Sequence, residues 1–322
     1  MNKIKNELKQ TFTNYWEYLA LQTACRLNIF DDIENGFNTI EKLSLSKSSN
    51  KKILETFLST LVDAKTIYEI NGQYFLTEKG KLLTENHPET LKHACILWGE
   101  EHLTAWQNLE YTLKTGKSAF EHIFKAPFFD FIKNKPEKLK NYQLAMQEYA
   151  LDDYRNIAEV IDFSEFNTIA DVGGGTGVLI KNIAKKYPHK NCIFTDLKEV
   201  TALLKSKPKN LTVLSHNFFE SFSFKADAII LSRVLHDWND EKAKIILNNC
   251  YKALNQNGKL FVVEIMQEEI TANLLTLNMM IMTEAYERTF DEYRLLLKDA
   301  NFKLSSKIKL NELQTILISI KQ

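Results

Sequence analysis

An acid ahead of alternate glycines, and a histidine with two distant carboxylates, are the residues whose types and spacing suit chemistry. In Thr168-Ile169-Ala170-Asp171-Val172-Gly173-Gly174-Gly175-Thr176-Gly177 an apolar run meets an acid and then breaks into glycine. Gly173, Gly175 and Gly177 leave room for a ligand to lie against bare backbone. A helical pattern follows at once, and its first N–H groups are unpaired. Asp196, about 20 residues on, can accept both hydroxyls of a ribose. His216-Asn217-Phe218-Phe219 stands where an adenine would sit, with Phe218 offering an apolar face. His236, in Leu231-Ser232-Arg233-Val234-Leu235-His236-Asp237-Trp238-Asn239-Asp240, falls near the reactive end of such a nucleoside. Glu264 and Glu287 are carboxylates able to fix an imidazole's tautomer and stabilise its protonated form. Each feature alone has a plain structural use as a turn, a strand end or a helix start. None of the other six histidines has such a neighbourhood.

The glycine spacing discriminates between ligands. A dinucleotide fingerprint needs a third glycine at position 178, which is Val178, so a nicotinamide oxidoreductase is disfavoured.

These residues need elements that bring them together. Strand-like runs at 168–172, 191–196, 211–215, 226–231 and 259–264 alternate with helical patterns. That alternation predicts a parallel sheet with helices on both faces. Ligands bind outside the carboxyl ends of such strands, and each candidate residue follows a strand. Runs at 304–310 and 314–320 have no helix between them, so the last strand is expected to insert antiparallel. Met279, Met280 and Met282 lie on an expected helix.

Upstream, residues 10–30 carry an aromatic helical pattern. Thr39 caps a short helix, and a second helix runs through Ile53, Leu54, Phe57, Leu58, Leu61 and Val62. Strands at 66–70 and 73–76 are joined by Asn71-Gly72, the strongest short hairpin signal. Thr77 then caps a helix ending near Glu85. Helices followed by a hairpin predict a winged helix. Basic and acidic residues nearly balance over residues 1–90, so the charge of a DNA reader is missing and a dimerisation platform is favoured. Residues 91–160 are helical with aromatic insertions.

The chain has 322 residues and a formal net charge of +0, with 41 basic and 41 acidic side chains. Nothing in that balance points to nucleic acid. It contains no apolar run long enough to span a membrane, and its N-terminus lacks the apolar segment of a secretion signal. Cys25, Cys95, Cys192 and Cys250 are scattered, as expected for reduced thiols of a cytoplasmic protein. No Cys/His cluster has metal-ligand spacing, so no metal is expected.

Nearly end to end the chain resembles the dimeric small-molecule O-methyltransferases that use S-adenosyl-L-methionine (SAM): the caffeate, acetylserotonin and bacterial polyketide or phenazine tailoring types. The likeness rests on Trp98-Gly99-Glu100 with Trp106, Gly116 with Phe120, Ala145-Met146, residues 171–177 and 235–238, Glu264, and Glu287-Arg288-Thr289. It implies a doubly wound, mostly parallel, seven-stranded Rossmann-like α/β sheet behind an N-terminal winged-helix dimerisation domain. The implied domains are 1–90 for dimerisation, 91–160 as a helical linker contributing to the acceptor pocket, and 161–322 for SAM binding and catalysis. It implies that His236 is the base that deprotonates an acceptor hydroxyl, framed by Glu264 and Glu287. Asp171, Gly173, Gly175, Gly177, Asp196, Asn217, Phe218, Ser232 and Arg233 are implied to hold SAM and its product S-adenosyl-L-homocysteine. Met146, Trp238, Met279 and Met282 are implied to line the pocket of a small aromatic acceptor. It also implies a homodimer with helices exchanged between subunits.

Four features, spanning five residues, depart from the family pattern. Asn217 replaces an Asp, Ser232 a Lys, Glu284-Ala285 a Gly-Gly pair, and Ala150 a Ser. The departures leave open relatives that bind SAM without transferring a methyl group, or that methylate N or C. A winged-helix ligand-responsive regulator is the remaining alternative.

Overall fold

In the computed structural model, which describes residues 1–322 apart from 205, 270–272 and 284, local caps mark the element starts that the sequence suggests. The Thr39 hydroxyl accepts the Lys42 N–H ahead of helix Ile40–Lys47, and the Asn50 side chain accepts the Ile53 N–H ahead of Lys51–Asp63. Strands β1 (Ile67–Ile70) and β2 (Gln73–Leu76) pair antiparallel. Asn71 and Gly72 both have positive φ, 51° and 76°, as a tight two-residue hairpin requires. The helix after Thr77 stops at Lys81 rather than near Glu85. Leu83 and Thr84 donate to carbonyls only three residues back, and the Glu85 N–H is taken by the Asp31 carboxylate at 2.7 Å.

Two units result, Met1–Leu103 and Thr104–Gln322. The first is helical apart from its hairpin, with a core that includes Ala24, Ile29, Phe30, Leu54, Leu58, Leu61 and Ile67. Its long helix Asn2–Arg26 leaves Ile4, Leu8, Phe12, Tyr15 and Trp16 exposed, the last two aromatics by 52% and 61%. Those positions recur three or four residues apart and form one stripe.

The second unit carries strands β3 (Thr168–Val172), β4 (Asn191–Asp196), β5 (Leu211–Ser215), β6 (Ala226–Ser232), β7 (Leu254–Ile265), β8 (Phe302–Lys309) and β9 (Gln314–Lys321). Their order is β5-β4-β3-β6-β7-β9-β8. The first five are parallel, and β9 runs antiparallel between β7 and β8. The sheet is therefore mixed but mostly parallel, with the expected antiparallel insertion. Buried apolar clusters cover both faces, as a doubly wound sheet requires. Strand β8 is an edge, and Lys303, Lys307 and Lys309 stand exposed along it. Helices between residues 109 and 153 precede the sheet and carry an aromatic cluster around Phe120, Phe128 and Ile132. Among the described residues, no helix is long and apolar enough to cross a membrane.

Candidate active site

The parallel strands end on one edge, and each contributes a chemical group there. After β3 the chain turns through Gly173, Gly175 and Gly177 at φ 71°, 60° and 72°, a left-handed region costly to residues with a Cβ. A Cβ on Gly173 would lie 2.9 Å from Val234 and 3.3 Å from the Phe218 ring. The bare glycine thus lets two other strand ends close on the turn. Asp171 lies beneath it, 1% exposed, and neither carboxylate oxygen makes a hydrogen bond among the described residues. Burial first, and then the neighbouring Asp196 charge, push Asp171 up to about 7. Asp196, at the end of β4, accepts the Gly175 N–H at 2.8 Å and the Leu197 N–H at 2.7 Å. Burial pushes it up to about 6 against the pull of those two amides. A side-chain-free turn with the half-buried Asp196 carboxylate beside it suits a polar nucleoside, whose hydroxyls an acid at that strand end can accept.

Asn217 follows β5, but its amide oxygen accepts the Phe219 N–H at 3.1 Å. Its acceptor serves its own turn. The Phe218 carbonyl is held by the Asn249 amide at 3.0 Å. Ser232, at the end of β6, donates to the Tyr154 hydroxyl at 2.6 Å. Arg233 has a left-handed backbone, φ 51°, with its N–H on the Val263 carbonyl and its guanidinium 3.6 Å from Asp153.

His236 lies 4% exposed in the three-residue turn Leu235–Asp237. Its Nδ1 is 2.8 Å from Glu287 Oε1 and 4.0 Å from Glu264 Oε2. Glu287 therefore bonds the ring directly. Glu264, at the end of β7, spends its other oxygen on the Val234 and Leu235 N–H groups at 3.0 and 2.9 Å, and so shapes the turn. Both acids sit on the Nδ1 side, while on the Nε2 side Asp237 approaches to 3.7 Å. Burial opposes a charged imidazole, but Glu287, Glu264 and Asp237 outweigh it and push His236 up to about 10. Burial pushes Glu264 up to about 7, whereas His236 and two arginines hold Glu287 below the usual carboxylate range despite its burial. The ligand atoms of His236, Glu264 and Glu287 lie within 4.8 Å of one another, but the hydrogen bonds just described already engage the ring nitrogen and one oxygen of each acid.

The expected pocket residues divide. Met279 and Met282 are buried on helix Asn273–Thr283, which packs against the Leu235–Asp237 turn. Met282 also belongs to the aromatic cluster of Phe120 and Phe128. Trp238 stacks on Phe129 at 5.5 Å and meets Phe219 edge-on at 4.8 Å. Met146 is half-buried, one turn beyond Tyr142 on helix Pro136–Asp153. Ala150 is half-buried on the same helix. Glu284 lies outside the described residues, and Ala285 is buried.

Several neighbours carry no role in the sequence reading. Gln143 Oε1 lies 3.2 Å from where a Gly175 Cβ would fall. Tyr154 takes the Ser232 bond. Arg288 is 1% exposed and bonds the backbone around His236. Only Arg288 had a signal, its place directly after Glu287.

With this geometry in view, similarity to known proteins is informative. A family profile described as the O-methyltransferase domain matches residues 106–303. The phenazine O-methyltransferase of Lysobacter antibioticus is 29% identical over 308 residues, covering 92% of this chain and 90% of that protein. The crystal structure of LaPhzM superposes with a TM-score of 0.94 at 27% identity, covering 99% of both chains. Human N-acetylserotonin methyltransferase, solved in complex with SAM, has the same fold, with a TM-score of 0.90 at 24% identity over 100% of this chain and 98% of that one.

Proposed function

The chain belongs to the O-methyltransferase family, and we propose that it transfers the methyl group of SAM to a hydroxyl of a small aromatic acceptor, leaving S-adenosyl-L-homocysteine. The buried His236–Glu287 bond, on the sheet edge that carries the glycine turn, is the observation that carries this reading. SAM, when bound, supplies a methyl group already activated by its sulfonium centre. The protein's own work is alignment and deprotonation.

Gly173, Gly175 and Gly177 would give the cofactor bare backbone, with Asp171 and Asp196 as the acids of its site and Phe218 and Asn217 as the residues that would hold its base. Ser232 and Arg233 close the edge next to His236. Glu287 holds the Nδ1–H of His236, so Nε2 faces the acceptor and takes the hydroxyl proton. Glu287 then stabilises the imidazolium, and Glu264 keeps the turn in place. Trp238, Met146, Met279 and Met282 form apolar walls, with helices Ala119–Phe124 and Pro136–Asp153 contributing; a planar acceptor such as the phenazine of the Lysobacter relative suits them. Ideal alignment is worth roughly 7–11 kcal/mol of barrier, and a placed base adds about 10²–10⁴ in rate.

Residues 1–90 are read as a winged-helix module that pairs two copies through the apolar stripe of helix Asn2–Arg26. A cytoplasmic setting is consistent with four free cysteines.

The test is incubation with SAM and a panel of phenols and hydroxylated heterocycles, following S-adenosyl-L-homocysteine and a methylated product by mass and NMR. Transfer to oxygen is expected. His236→Ala should lose about 10²-fold or more in turnover and keep its affinity for S-adenosyl-L-homocysteine. Parental turnover in that variant removes His236 as the base. Failure to bind either form of the nucleoside removes the whole reading.

A further inference from the structure

The turn that carries His236 does not hold itself well. Its own closing bonds, Asp237 N–H to the Val234 carbonyl and Trp238 N–H to the Leu235 carbonyl, are both 3.3 Å, beyond the usual range for amides. Outside groups make the short contacts. At the start of the turn, Glu264 accepts two N–H groups at 3.0 and 2.9 Å. At its end, Arg288 donates Nη1 to the Leu235 carbonyl at 2.8 Å and Nη2 to the Trp238 carbonyl at 2.7 Å. These carbonyls bracket His236. The same guanidinium donates Nε and Nη2 to Asp240 Oδ1 at 3.0 and 2.8 Å, at the start of helix Asp240–Ala253. It also lies 5.5 Å from the Tyr286 ring and 5.8 Å from the Tyr293 ring. Charge-assisted bonds of this kind are roughly twice as strong as neutral ones.

We propose that Arg288 is a positioning residue for proton abstraction: it clamps the two carbonyls that bracket His236, while the adjacent Glu287 orients the ring. The backbone and the imidazole are thus aligned by consecutive residues, and a shift in one is transmitted to the other. The proposal rests on reading His236 as the base. A lysine cannot replace the clamp, because one ammonium lacks the planar fork that reaches two carbonyls and a carboxylate together.

Arg288→Met and Arg288→Lys test this in the full-length protein, with three readouts. Calorimetry with S-adenosyl-L-homocysteine should stay within about threefold of the parent, since the glycine turn is untouched. Turnover should fall about 10²-fold in Arg288→Met, with acceptor KM little changed, as misplacement of a catalytic group predicts. In the variant labelled at histidine for NMR, the His236 titration should drop from its raised position toward the ordinary imidazole range, because the ring no longer stays on Glu287. The clamp is overturned if Arg288→Met turns over like the parent with an unmoved titration, or if it loses nucleoside binding along with turnover. If Arg288→Met fails to fold, Arg288→Lys decides: reduced turnover with a lowered titration supports the clamp, and parental turnover shows that only a buried positive charge is needed. If neither variant folds, Arg288 serves the fold alone and the proposal falls. The titration does not depend on methyl transfer. A parent that methylates nothing, yet shows the titration and its loss in Arg288→Met, sinks the reading of the reaction and leaves the clamp standing.

Discussion

With His236 read as the proposed base, the reaction turns on how its proton affinity compares with that of the acceptor hydroxyl. The sequence alone leaves an imidazole several units below a phenol, which ionises near about 10. In the structure, burial opposes a charged ring, but Glu287, Glu264 and Asp237 outweigh it and push His236 up to about 10. The direction of that shift brings the ring closer to a phenol in basicity and favours proton transfer to it. The ring accepts a proton only when it is neutral, so kcat/KM should rise with pH from neutrality toward about 10 in the free enzyme. Glu287→Gln removes the nearest charge. It should move this limb down toward the ordinary imidazole range near about 6.5 while lowering the maximal rate by about tenfold or more. A pH–rate profile that stays in place would show that Glu287 does not set the ring's basicity. The sequence singled out His236, Glu264 and Glu287, but not their division of labour. Glu287 lies on an irregular segment far along the chain, so no periodicity tells where its carboxylate points. Asn217 follows β5 as the sequence suggests, but that its amide oxygen accepts the Phe219 N–H is local turn geometry that no sequence pattern reveals.

Among the elements, the strand–glycine turn–helix unit was the most legible. Strands β3, β4 and β5 begin and end as read, because each is a short apolar run bounded by Asn, Asp, Ser or Gly. Strand β7 starts earlier than expected, at Leu254. Its polar start, Asn255-Gln256-Asn257-Gly258, reads as a loop, and its pairing with β6 is irregular there. The turn that carries His236 has only three residues, too few for any periodic signal. The glycine turn supports a prediction at this scale. Gly173→Ala forces a Cβ to within 2.9 Å of Val234 in a left-handed backbone, so affinity for S-adenosyl-L-homocysteine should fall by about tenfold or more, the two costs together exceeding the roughly 1–2 kcal/mol of backbone strain alone. Gly36→Ala is the control. Gly36 also has positive φ, 86°, but no heavy atom lies within 4 Å of its Cβ position. It should lose some thermal stability and keep nucleoside affinity in the same calorimetric titration. Equal affinity losses in the two variants would show that the close approach at Gly173 is unimportant.

At the scale of the whole molecule, the exposed stripe on helix Asn2–Arg26 is unusual for a protein that stays single. Burying Phe12 and Trp16 against a second copy would contribute on the order of 2 kcal/mol each. Phe12→Glu with Trp16→Glu should therefore convert a species of twice the chain mass into one of the chain mass, as read by light scattering during size exclusion. A parent already of single mass removes the pairing. The other boundary of the molecule follows a different rule. An outermost strand with bare amides invites further copies to add rung by rung into a filament. Here that strand, β8, carries exposed lysines at 303, 307 and 309, and stacking identical copies would line up like charges. Filament growth through β8 is thereby discouraged, whereas pairing of two copies through helix Asn2–Arg26, as proposed above, would use the same patch on both and so close on itself.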